Sequence, residues 1–291
     1  MNASSTRLGL ALPENFEMDL YLVEAKIREL GKMEQVPDAK LDTACARFER
    51  SGLHTRAIAG PDPGLSVIYY SRDHRVLEQA AKLERVQRLK RQAGKRTVAA
   101  RKLGTLLGYP ACCVESFVTA SRQNDVDILS AFDAGLAQPM APLMNFFPRG
   151  VAPVGWVPCS PTCAESMDYA NRTVASMKQD YSLQENDLED ALAGVVMWFS
   201  SPLFLQFRHI NNLSETGFSY EEVLSSAQIA PTSGHPKDQS GAEKLARLRT
   251  EFSAGDRLEL TPEGVVVYAG EEAVFNWDAP ELQNRFMVFL P

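Results

Sequence analysis

Four of the five cysteines in this 291-residue chain fall in two short pieces, and nothing else in the sequence constrains the fold as strongly. The first piece reads Leu106-Leu107-Gly108-Tyr109-Pro110-Ala111-Cys112-Cys113-Val114-Glu115-Ser116-Phe117. The second reads Pro158-Cys159-Ser160-Pro161-Thr162-Cys163-Ala164-Glu165-Ser166. An odd, clustered set in a chain long enough to bury a large core is not the disulfide framework of a small secreted domain. In a reducing compartment it points to metal ligands or redox thiols.

A proline precedes cysteine in both pieces. With Pro110 and Pro161 at the first helical position, where a missing amide proton costs nothing, Cys112 and Cys163 enter the first turns of two helices. Helix N-termini carry amides without partners inside the helix and roughly half a positive charge, which favours thiolate ligands and an anionic cluster. The Cys-Cys and Cys-x-x-x-Cys spacings differ from the Cys-x-x-Cys knuckles of structural zinc. A [4Fe–4S] cluster on Cys112, Cys113, Cys159 and Cys163 is therefore expected, with zinc as the alternative and vicinal thiol–disulfide chemistry as a third reading. Cys45 is expected in the core.

Glu115 and Glu165 each stand two residues after a cysteine and are candidate acid/base groups. The plainer account is that acids suit the first turn of a helix, with Thr162 to Glu165 forming a capping box. His209, in Gln206-Phe207-Arg208-His209-Ile210-Asn211-Asn212, is a third acid/base candidate beside Arg208 at a strand end.

Charge is unevenly spread. Nine basic residues and one acid, Glu84, lie between Lys82 and Lys102, giving that segment +8; with −7 overall, the remainder carries −15. A solvated helix face and an anion site are both open. The anion site would use Arg96, Arg101, Lys102, Tyr109 and Arg208 to hold a small anionic substrate. Nucleic acid is disfavoured, because the stretch from Lys82 to Lys102 holds no aromatic residue for stacking.

Periodicity predicts helices over 16–35, 41–50, 74–92, from 97 to 107, over 124–137, 161–178, 185–200, 219–226 and 242–252. A β-hairpin is expected from His54–Ala59 and Leu65–Tyr70, and a strand over 202–210. Three strands (257–260, 264–268, 273–277) should form a small C-terminal meander. The 139–158 stretch, with five prolines, reads as an irregular functional crossing or lid. The expected class is α+β, mostly helical, with a cysteine-cluster domain over 1–230, a mobile linker at 231–240, and a small piece over 241–291 packed on the first. The run 191–207 is too short and too polar to span a membrane, and no leader is evident, so a cytoplasmic location is expected.

The pairing of the 106–117 and 158–163 motifs resembles an uncharacterised prokaryotic family, domain of unknown function number 483, over about residues 65–180. The resemblance implies the cysteine pattern and supplies no activity. A fainter likeness is to the cysteine-rich domain of heterodisulfide reductases, though here no glycine follows Cys113 and the later pair is Cys-x-x-x-Cys. The expected function is an iron–sulfur enzyme acting on a small anionic substrate. The alternative is a non-enzymatic zinc or iron–sulfur protein that binds a partner.

Overall fold

The computed structural model describes residues 7–13, 16–89, 92–122, 135–148, 150–200, 203–229, 236–280 and 285–290. The chain divides into two compact units, Asn15–Val126 on one side and Met1–Glu14 with Asp127–Pro291 on the other. These boundaries are not those expected at 230 and 241. Residues 231–235 of the expected linker lie outside the described residues, while Pro236–Ser240 opens a helix.

The Asn15–Val126 unit contains α1 (Met18–Glu24), β1 (Leu30–Pro37), α2 (Leu41–Arg50), β2 (His54–Ala59), β3 (Leu65–Ser71), α3 (His74–Gln87), α4 (Ala93–Leu106) and α5 (Ala111–Arg122). The hairpin forms as β2 and β3, and it gains a third strand to give the antiparallel order β1-β3-β2. That strand corrects the helix expected over 16–35, which stops at Glu24. Gly31 is a poor helix residue, and it lies where β1 passes Tyr70: a Cβ there would sit 2.0 Å from the ring. Gly31→Ala is expected to cost about 1–3 kcal/mol through overpacking, read as a lower urea midpoint. An unchanged midpoint would mean that Tyr70 gives way freely.

Successive β3 side chains point to opposite faces, and both faces are covered. Val67 and Tyr69 pack with Leu77 and Ala80 of α3, Leu103 of α4 and Leu107 just after it. Ile68 and Tyr70 pack with Leu20, Val23 and Phe48, the Phe48 and Tyr70 rings stacking at 4.0 Å. Cys45, on α2, is partly buried against this second cluster. Asp73 caps α3 as expected, accepting from the Arg75 amide at 2.8 Å. The helix ends at Gln87, short of Gly94, which falls inside α4.

Glu84 is only 7% exposed. It accepts from the Tyr69 hydroxyl at 2.6 Å and from Arg88 at 2.7 Å, with Lys32 Nζ at 3.6 Å. Burial works to raise its pKa, but Lys32, the Tyr69 hydroxyl and Arg88 together outweigh burial and hold the carboxyl below its usual range. A carboxylate depressed in the folded state contributes stability above its unfolded pKa of about 4.3 and loses it as pH falls through the folded value. Urea midpoints should therefore fall more steeply below about pH 4 in the parent than in Glu84→Gln. Parallel acid profiles would contradict the assignment.

The second unit contains β4 (Gly135–Met140), α6 (Ala164–Tyr181), α7 (Asp187–Leu192), β5 (Gly194–Ser200), β6 (Leu203–Arg208), β7 (Asn211–Ser214), β8 (Gly217–Ser219), β9 (Glu222–Ser225), α8 (Ser226–Ile229), α9 (Pro236–Phe252), β10 (Arg257–Thr261), β11 (Gly264–Ala269), β12 (Glu272–Asp278) and β13 (Phe286–Phe289). They build two five-stranded sheets, β4-β13-β5-β6-β9 and β12-β11-β10-β8-β7. Among the described residues only β4 and β13 pair in parallel. The expected meander is present as β10, β11 and β12, joined by β8 and β7 into a larger sheet.

The protein is thus α+β but not mostly helical. The helix expected over 185–200 is helical only from Asp187 to Leu192 and then becomes β5. Val195, Val196, Met197 and Trp198 are each 0% exposed, so the strand carries no apolar–polar alternation that would separate it from a buried helix. The helix expected over 219–226 is instead the end of β8, then β9 and the first residue of α8. The helix expected over 124–137 falls outside the described residues up to 134, after which β4 begins.

Aromatic packing centres this unit's core. Phe207 of β6 meets Phe218, Tyr220 and Phe252 at centroid distances of 5.3, 5.0 and 5.5 Å. The 139–158 stretch is not an exposed lid: Phe146, Phe147, Val151, Ala152, Val154 and Trp156 are buried. Asn145 secures its irregular backbone, donating to the Leu192 carbonyl at 2.8 Å and accepting from the Phe147 amide at 3.2 Å. Among the described residues no helix is long and apolar enough to cross a membrane.

Candidate metal centre

Local rules set both cysteine pieces. Helix α4 ends where the sequence places its stop, at Gly108, whose φ is +76°. The Gly108 amide donates to the Thr105 carbonyl at 3.0 Å and the Tyr109 amide to Gly104 at 3.0 Å, a Schellman ending that needs glycine's left-handed backbone. Tyr109 is partly buried against the β3–α3–α4 core, so it serves as an anchor for the turn. Pro110 then accepts from the Val114 amide at 3.0 Å, the first bond of α5. The helix starts at Ala111, one residue later than expected, and Cys112 and Cys113 occupy its first turn. Gly104 lets α5 lie close to α4, since a Cβ there would be 2.7 Å from Val114 Cγ2.

The second piece is held by a clamp that the sequence did not reveal. Buried Trp156 donates from Nε1 to Ser166 Oγ at 3.1 Å, and its ring meets Tyr169 edge-on at 4.8 Å. Both partners lie on α6, so the backbone from 156 to 163 is tied to the helix that follows. Cys163 is the N-cap residue of α6, accepting from the Met167 amide at 3.0 Å and donating to the Ser160 carbonyl at 3.2 Å. The expected capping box on Thr162 does not form, and Pro161 lies outside the helix.

The Sγ atoms of Cys112, Cys113, Cys159 and Cys163 all lie within 4.8 Å of one another, and the group includes no histidine or carboxylate among the described residues. Cys112 and Cys113 Sγ are 3.8 Å apart. Cys113 and Cys163 are buried and the other two half-buried, and none of the chain's cysteines is in a disulfide. A concentrated all-sulfur donor set, half of it buried, is what soft or borderline metals take. These four residues are close enough to hold a metal ion.

The other candidate residues have other surroundings. Glu115 is exposed on α5 and forms a two-pronged pair with Arg101 of α4, at 2.5 and 2.7 Å. Glu165 is exposed in the first turn of α6. Arg208 pairs across the strands with Glu222 at 3.0 Å. His209 sits exposed in the β6–β7 turn with φ +53°, its carbonyl accepting from Asn211 at 3.3 Å. Arg96 and Lys102 are exposed on α4.

Fold and site together define an α+β protein with a four-thiol cluster able to bind a metal. Residues 89–193 match the family described as Protein of unknown function (DUF483), so the family resemblance holds over the segment containing all four cysteines. No curated protein and no solved structure matches the chain.

Proposed function

We infer that Cys112, Cys113, Cys159 and Cys163 hold one tetrahedral metal ion, zinc, in a closed structural centre of a non-enzymatic binding protein. The spacing of the sulfurs carries this reading. Zinc–thiolate bonds of about 2.3 Å place tetrahedral sulfurs about 3.8 Å apart. Thiolates on the separate irons of a [4Fe–4S] cube stand farther apart, at about 6 Å. A limit of 4.8 Å is near the first geometry and short of the second. Four sulfurs fill the coordination of zinc and leave no open position for a substrate or water, the usual mark of a structural site.

The surroundings of the acid/base candidates support the same reading: Glu115 is engaged by Arg101, and His209 belongs to an exposed turn. The chain's own contribution is the first turn of α5 and the N-cap of α6, which present sulfur where backbone amides favour negative charge. Metal and acid-labile sulfide analysis of the full chain, purified without oxygen, tests the assignment. One zinc per chain is expected, and exchange for cobalt should give the intense visible bands of a tetrahedral thiolate complex. A brown protein with about four irons and four sulfides would instead establish the cubane cluster.

A further inference from the structure

The α3–α4 pair carries a second surface independent of the thiols. A shallow groove of about 330 Å³ runs along it, floored by Leu83, Val86, Val98 and Ala99 and edged by Lys95 and Lys102. Val98 is 49% exposed and Leu89, just beyond α3, 41%, two of the few large apolar side chains so open to solvent. Lys82 and Arg85 of α3 and Lys95, Arg96 and Lys102 of α4 are all exposed, and among the described residues none of the five enters an ion pair. Their neighbours Arg88 and Arg101 are each engaged by a glutamate. An apolar trough edged by uncompensated cations, in a chain otherwise strongly acidic, is a charge-selective surface.

We propose that this groove docks an acidic amphipathic helix of a partner protein. Apolar side chains at helical spacing would fill the floor between α3 and α4, and flanking Asp and Glu would meet the lysine and arginine edge. Phosphate backbones would satisfy the cations but leave the apolar floor unused, and the groove supplies no aromatic platform for bases. Charge complementarity therefore selects a polypeptide with both an acidic and an apolar face.

The test places a photo-crosslinking amino acid at Val98 of the full chain in its native cells, with Val274, 40% exposed on β12, as the control position. The crosslinked segment is sequenced, synthesised and titrated against the purified protein by fluorescence anisotropy. The proposal expects an acidic amphipathic segment whose binding weakens at least about tenfold in Lys95→Glu/Lys102→Glu and in Val98→Asp, and falls as salt rises. Circular dichroism and thermal melts matching the parent verify that the variants fold. Crosslinks to RNA or lipid, crosslinks no stronger than at Val274, or a peptide that binds the folded variants as tightly as the parent would each overturn it.

Discussion

Replacing Cys113 with serine is expected to strip the bound metal and to cause the largest loss of stability of any single substitution in this chain. Cys113 is 3% exposed, in the first turn of α5, with its sulfur 3.8 Å from Cys112. A hydroxyl at that position is a weaker ligand and shortens the bond, leaving three thiolates without their fourth partner. Structural zinc sites in small domains contribute about 10–16 kcal/mol of apparent binding free energy at neutral pH, comparable with or above the 5–15 kcal/mol of a whole domain. Thermal melts of parent and Cys113→Ser, each with and without a strong chelator, check this. The parent should lose its transition or drop sharply with chelator, and the variant should already melt at the lower position. A parent that melts identically with and without chelator would sink the structural reading.

Phe207→Ala should be the most damaging change away from the thiols. The ring is 0% exposed and touches three other aromatic rings, from β8, the residue just after it, and α9. Removing it leaves a cavity between strands whose backbone positions are tied by paired ladders on both sides of β6, so collapse is restricted. Such truncations cost about 3–5 kcal/mol, and the edge-to-face contacts add to the loss. A urea titration should show a lower midpoint with an unchanged slope. A loss under about 1 kcal/mol would mean that the aromatic cluster repacks around the gap.

Much of the local structure was legible in the residues. Asp73 caps α3 through its own carboxylate, Gly108 ends α4 because only a residue tolerant of positive φ closes that turn, and the 54–59 and 65–70 strands follow from a glycine–proline turn between strand-like runs. These features depend on neighbours within a few positions, so short-range rules capture them. Most of β1 and all of β5 and β9 fall in stretches whose periodicity predicts helix, because their pairing partners lie elsewhere in the chain. A strand buried on both faces shows the same apolar run as a buried helix until the ladder forms.

The site divides in the same way. Which four residues could ligate was written in the sequence, since the cysteines are clustered, of one chemical kind, and placed just after prolines that precede two helices. How far apart their sulfurs stand was decided only by the tertiary structure. The Schellman turn with its Gly104 contact sets one pair, and the Trp156–Ser166–Tyr169 clamp sets the other. That separation, rather than the spacing of cysteines along the chain, is what brings four thiols within reach of one metal site, because coordination depends on distances between sulfurs and not on the number of residues between them.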